Sequence, residues 1–177
     1  MAYSLAFQMA LTFTLAQEGG FQNSPDDPGN WTGGAVGQGQ LVGTNFGISA
    51  AAYPTLDIAN LTKDQATAIY QSDYWDAISG DKLPVSMAIV TFDAAVNSGP
   101  GMGAKWLQSA LGITADGVIG PETIAAAQGA SDSVHVATLA AFNRQFFLVQ
   151  SGLAAQYNGA LLRRAILCAV FAAHSGG

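Results

Sequence analysis

A mainly α fold is predicted, a bundle of helices with one small irregular or β region after the first helix, and three observations predict it. Helix start signals recur along the chain: Ser4 before an alanine-rich apolar segment, the box Thr62-Lys63-Asp64-Gln65, and Pro121-Glu122-Thr123. The 177 residues are 50% hydrophobic and only 10% charged, which excludes a disordered or collagen-like chain and suffices for one core. Only the stretch from Glu18 to Gly47 is long, polar and glycine-rich without helical periodicity. Phe21, Trp31, Leu41, Val42, Phe46 and Ile48 supply apolar anchors along and just beyond it, so it is predicted to be folded.

From Ser4 to Gln17, Leu5, Phe7, Met9, Leu11, Phe13 and Leu15 alternate with fillers such as Ala6, Ala10 and Ala16, so strand and helix templates both score. Helix is preferred because Ser4 can cap it, alanine favours it and Gly19-Gly20 stops it. Between Gln22 and Thr44 turns are expected, with Asp26-Asp27-Pro28-Gly29 as a turn signature and short strands near 40–42 and 46–48. Ser49 or Ala50 is expected to open a helical segment that Pro54 cuts short. Thr62 and Gln65 open a helix through Ala66, Ile69, Tyr70 and Tyr74.

After the break at Lys82-Leu83-Pro84, residues 85–96 are apolar nearly all round, the pattern of a helix at the centre of a bundle. Asp93 within it is expected to bond a neighbouring backbone group or an arginine. Asn97-Ser98-Gly99-Pro100-Gly101 ends that helix, and 102–111 carries Trp106, Leu107, Ala110 and Leu111 at helical spacing. Asp116-Gly117-Val118-Ile119-Gly120 is a turn before the helix at Pro121. Helices at about 133–151 and 153–174 complete the bundle. The apolar run 165–173 reads as a buried terminal helix or as a surface for membrane or self association.

A formal charge of −6 with no basic cluster argues against nucleic acid as a partner, and binding to a polyanionic wall must then come from local contacts in a groove. The lone Cys168 rules out an internal disulfide and a cysteine zinc site, and is expected to pack as a small hydrophobe. His135 and His174 lack partners at ligand spacing, so no metal is expected. The first sixteen residues lack a basic leader and read as a core helix, not a signal peptide, and no apolar run reaches membrane-spanning length.

Glu18 falls at the C-terminal end of the first helix, where the helix dipole and low dielectric both disfavour an ionised carboxylate, the direction a general acid requires. Asp27 sits in a solvated turn, suited to a second, ionised role, and Thr44 returns beside it in Gly43-Thr44-Asn45-Phe46-Gly47-Ile48. Trp31, Tyr74 and Trp75 are aromatic candidates for stacking on sugar rings, though such residues also fill cores.

Glu18-Gly19-Gly20-Phe21, Asp27-Pro28-Gly29 and Gly43-Thr44-Asn45-Phe46-Gly47-Ile48, in this order, resemble the start of the glycoside hydrolase family 108 lysozymes, N-acetylmuramidases common among phage endolysins. Tyr70 to Asp76, Phe92 to Gly99 and Trp106-Leu107-Gln108 continue the resemblance, and Asp116 to Thr123 is similar to the family's predicted peptidoglycan-binding region. One departure is the insert Asn30 to Val42 between the Asp-Pro-Gly turn and Thr44. The resemblance implies a lysozyme-like catalytic region over 1–95 and a peptidoglycan-binding region over 96–177, packed in one globule. It implies cleavage of the β-1,4 bond between N-acetylmuramic acid and N-acetylglucosamine, with Glu18, Asp27 and Thr44 catalytic and Trp31, Tyr74, Trp75 and Asn97 contacting substrate. It further implies no cofactor, peptidoglycan strands as partner, a monomer without a stable membrane anchor, and action on the periplasmic wall after synthesis in the host cytoplasm. A lytic transglycosylase and a non-catalytic peptidoglycan-binding protein are the alternatives.

Overall fold

The computed structural model describes residues 2–153 and 159–175, and the chain is mainly α, with one two-stranded sheet among the described residues. It divides into two compact units, residues 14–70 and residues 1–13 with 71–177.

The larger unit begins with helix α1, Leu5–Gln17, whose first part belongs to it. Ser4 caps the helix, its Oγ accepting the Phe7 N–H at 3.2 Å. Phe7 meets Trp75 and Phe92 with ring centroids 5.4 and 5.9 Å apart, an aromatic cluster at the core. The central helix is α3, Val85–Ser98, buried without a break from Ser86 to Ala95 as its all-round apolar sequence predicts. Around it pack α4 (Pro100–Leu111), α6 (Ser133–Gln150) and α7 (Ala160–Ser175), while α5 (Pro121–Gly129) packs on α4. The predicted start of the last helix at 153 runs through residues 154–158, outside the described residues. Helix α4 starts at Pro100, two residues earlier than expected, because proline takes the first helical position directly after Gly99. Gly103 lets α3 and α4 touch: a Cβ there would lie 2.9 Å from the Thr91 carbonyl oxygen.

Asp93 finds the arginine partner expected of it, and a second one. Its Oδ2 accepts from Arg144 Nη1 of α6 at 2.7 Å and its Oδ1 from Arg164 Nε of α7 at 2.8 Å. One buried carboxylate thereby ties three helices. Cys168 packs beside them on α7, where burial and then the Asp93 carboxylate push its thiol well above the ordinary 9.0, leaving it protonated and unreactive.

The turn at 116–120 is wired from beneath by Gln108, which is buried on α4. Its Nε2 donates to Asp116 Oδ1 at 2.7 Å and to Thr123 Oγ1 at 3.0 Å, and its Oε1 accepts the Gly117 N–H at 2.9 Å. The Val118 N–H, and next the Gln108 amide, hold the Asp116 carboxyl below its ordinary 3.8.

The smaller unit holds the tail of α1, a 3-10 turn at Pro28–Asn30, strands β1 (Thr44–Asn45) and β2 (Ile48–Ser49), and helix α2, Lys63–Ile69. Thr62 and Gln65 form the predicted capping box in full, with the Gln65 N–H to Thr62 Oγ1 at 3.3 Å and the Thr62 N–H to Gln65 Oε1 at 2.9 Å. No helix forms after Ser49: a single turn, with Ala52 and Tyr53 donating to the Ser49 carbonyl, is all that fits before Pro54. After α2 the chain continues as a wide π turn, Tyr70–Trp75.

Two predictions follow from the larger unit. Asp93→Asn keeps the shape but leaves the buried Arg144 guanidinium without its carboxylate and takes one from Arg164, and is expected to lower unfolding free energy by about 3 to 5 kcal/mol in urea titrations. Because its carboxyl is held low in the fold, Asp116 stabilises the chain above its unfolded-state value, and that contribution disappears as pH falls through the lower folded-state value. The stability gap between wild type and Asp116→Asn should be open at pH 7 and close in strong acid, as read by denaturation at a series of pH values.

Candidate active site

The predicted catalytic trio lies wholly in the unit of residues 14–70. Glu18 is the first residue past α1, its N–H still bonded to the Thr14 carbonyl at 3.2 Å, and it is half-buried. Its side chain lies over the β1–β2 hairpin. The two-residue turn there, Phe46-Gly47, has φ of 50° and 76°, the left-handed pair that a tight hairpin requires. A Cβ on Gly47 would stand 2.9 Å from Glu18 Cδ and 2.6 Å from the Tyr70 hydroxyl oxygen. Glycine is therefore needed twice over, for its backbone angles and because the carboxyl and the phenol occupy the space of a side chain. Tyr70 is buried and donates to the Phe46 carbonyl at 2.9 Å, which fixes the turn from the far side.

Asp27 and Thr44 are joined through two residues that the sequence reading did not single out. Asp27 caps the 3-10 turn, Oδ1 accepting the Gly29 N–H at 2.9 Å, and its Oδ2 accepts from Gln22 Nε2 at 2.9 Å. Gln22 and Asn30 pair amide to amide, with Gln22 Nε2 to Asn30 Oδ1 at 3.0 Å and Asn30 Nδ2 to Gln22 Oε1 at 2.7 Å. Asn30, 0% exposed, then accepts from the Thr44 hydroxyl at 2.8 Å. The Gln22 and Thr44 backbones also bridge as an antiparallel pair, at 2.9 and 2.8 Å. The signals in the sequence were Gln22 directly after Glu-Gly-Gly-Phe and Asn30 directly after Asp-Pro-Gly, the ends of the two motifs.

Because the Thr44 hydroxyl spends its hydrogen on Asn30, its lone pairs are what it offers to a neighbour. The arrangement thus holds one glutamate at a helix end, one aspartate with both oxygens hydrogen-bonded, and one hydroxyl set to accept from a water.

The aromatic candidates divide. Trp31 is half-buried, its indole N–H bonded to the Pro25 carbonyl at 2.8 Å, and it pairs with Leu41 across the insert, which is thereby a closed loop. Tyr74 is half-buried in the other unit. Trp75 is corrected from sugar contact to core. It is 0% exposed, donates to Asp81 Oδ1 at 3.0 Å, lies 5.4 and 5.6 Å from the Phe7 and Phe92 rings, and is covered by Gly80, which leaves no ring face for a sugar. Asn97 is half-buried at the end of α3, its amide donating to the Asp93 carbonyl at 2.9 Å. Among the described residues no group of three or more His, Cys, Asp or Glu could hold a metal ion.

The sequence model of the family described as Glycosyl hydrolase 108 matches residues 11–99, half of the chain and the whole of the unit that carries Glu18, Asp27 and Thr44. The chain belongs to this family. Membership makes it a glycoside hydrolase, of the kind that acts on peptidoglycan. Among solved structures it is similar to one described as the structure of Brucella abortus SagA, with a TM-score of 0.71 and 29% identity over 94% of this chain and 95% of that one. No curated protein matches it significantly.

The close approach at Gly47 yields a test. In Gly47→Ala the new methyl displaces the Glu18 carboxyl and the Tyr70 hydroxyl, and a misplacement of this order is expected to cost about 100-fold in wall-lysis rate. Far-ultraviolet circular dichroism should remain helical, since no helix of the larger unit includes this turn.

Proposed function

We propose that this protein is a lysozyme of the endolysin type, cleaving the β-1,4 bond between N-acetylmuramic acid and N-acetylglucosamine in the periplasmic wall, with Glu18 as general acid. The observation that carries the proposal is the placement of the Glu18 carboxyl against Gly47, in the same unit as Asp27 and Thr44 and inside the family match.

In this reading Glu18 protonates the leaving glycosidic oxygen. Its half-buried position lets a sugar reach it, and the Gly47 backbone and Tyr70 hydroxyl fix the wall behind it. Asp27 supplies the negative charge that stabilises the oxocarbenium-like centre or activates water, and Thr44 accepts a hydrogen bond from that water. Gln22 and Asn30 hold both residues in register. Trp31 and Tyr74, each part-exposed, are the aromatic residues assigned to the glycan, with Asn97 of the Phe92 to Gly99 segment. Residues 96–177, with the 116–120 turn at their surface, are assigned to wall binding. The part-exposed turn rests on Gln108, which gives it a fixed shape.

Glu18→Gln keeps the size of the side chain but removes the transferable proton. Lysis of chloroform-permeabilised Gram-negative cells is expected to fall by at least about 100-fold, with the fold and wall association retained. Undiminished lysis by this variant would sink the proposal. Mass spectrometry of the digest should show products carrying one added water. A 1,6-anhydro product in its place would reassign the enzyme as a lytic transglycosylase.

A further inference from the structure

Helices α6 and α7 leave several of their largest apolar side chains outside the core. Toward the core, α6 buries Val136, Ala137, Ala140, Ala141, Arg144 and Leu148, and α7 buries Ala165, Cys168 and Ala172. Toward solvent stand Phe142, 58% exposed, Phe146 68%, Val149 56%, Ile166 50% and Val170 53%. The outward faces adjoin along a groove of about 370 Å³ between the two helices, whose walls are Ala141, Ala169 and Ala173 with Thr138 and Gln145, and whose rims are Phe142, Ile166 and Val170. Within the 165–173 run Ala165, Cys168 and Ala172 are core, Phe171 packs on Phe13, and Ile166, Leu167 and Val170 are surface.

We propose that this face binds a second copy of the chain about a two-fold axis, the Phe142 and Ile166 rims of one copy lying in the groove of the other. Shape is the first argument. A face carrying both an alanine-lined furrow and bulky ridges at helical spacing is complementary to itself, which is what a two-fold contact needs. Area is the second. The five exposed side chains present roughly 500 Å² of apolar surface before the groove walls are added, at the upper end of what a monomer shows and close to the ~800 Å² each partner gives a stable interface.

Charge decides against the alternative occupant, a lipid surface. The groove lining has no ionisable side chain, so two copies meet without burying a charge. A membrane surface is anionic and calls for a basic rim. Here the net charge is −6, two of the six Lys and Arg residues are committed to Asp93, and Arg163, exposed one turn before Ile166 on α7, is one cation where an anionic surface calls for several. The proposal replaces the monomer expected from the sequence and is independent of the catalytic reading.

Sedimentation equilibrium on the full chain tests it. Wild type is expected to approach twice the 18.1 kDa chain mass at micromolar concentration, and Phe142→Asp and Ile166→Glu to weaken the self-association at least ~100-fold with unchanged circular dichroism. Phe146→Gln, at the most exposed of these positions, serves if the charged variants misfold, and should weaken it measurably. A wild type that stays at 18.1 kDa up to about millimolar concentration, or variants that dimerise as wild type does, would overturn the proposal. So would a monomeric wild type that co-floats with phosphatidylglycerol-containing vesicles, which would give the face to lipid.

Discussion

The unit that carries the candidate site has little regular structure of its own, and its geometry depends on the buried side chain and carbonyl of Asn30. A passage this long with one hairpin of two-residue strands cannot satisfy its backbone through a sheet ladder, so turn bonds and side chains share the task. Asn30 gives its two amide hydrogens to Gln22 and the Ser24 carbonyl, accepts from Gln22 and Thr44, and its own carbonyl takes the Val42 and Gly43 N–H groups. Six bonds converge on its side chain and carbonyl, and they link the segments that carry Asp27 and Thr44. In such a network each partner left over would be a buried polar group without a bond, so it specifies one arrangement strongly.

The same logic explains what the sequence showed and what it concealed. Local rules acting over three or four residues were legible: the Thr62 to Gln65 box and proline at the start of α5 follow from backbone chemistry in the immediate neighbourhood, whereas Pro100, expected as a break, opens α4, and Phe46-Gly47, expected as strand, is the hairpin turn. Asp93 was legible for a related reason, because a carboxylate in an apolar helix has so few tolerable environments that an arginine partner could be anticipated. Asn30 was read as the first residue of an insert, since nothing local separates an amide that ends a turn from one that organises a site. Trp75 failed in the opposite sense. Its place beside Tyr74 suggested a sugar platform, but whether a tryptophan faces out depends on what lies against both ring faces, and Phe7 and Phe92 are distant in sequence.

In the helical unit the Asp93 ion cluster and the alanine-rich contacts solve one packing problem together. Small residues at the α3, α4, α6 and α7 contacts, with Gly103 the extreme case, let the helix backbones come close. Close helices bury less apolar surface per residue than helices separated by leucine or phenylalanine, so hydrophobic burial alone specifies their register weakly. Two short charge-assisted bonds to one carboxylate supply direction that alanine contacts lack, since a slip of α6 or α7 along its axis would break a 2.7 or 2.8 Å bond in a dry interior.

That division of roles accounts for the outward phenylalanines as well. Once register is set by an ion cluster and close contact by alanines, with Val136 and Leu148 buried beside them, Phe142, Phe146, Ile166 and Val170 are not required in the core. Left exposed with no other role they would carry an aggregation penalty, and a single charged substitution at Phe142 or Ile166 would remove it without disturbing the buried alanines. A face of this kind, built from large residues at helical spacing on two adjacent helices, is therefore best explained by a contact that buries it.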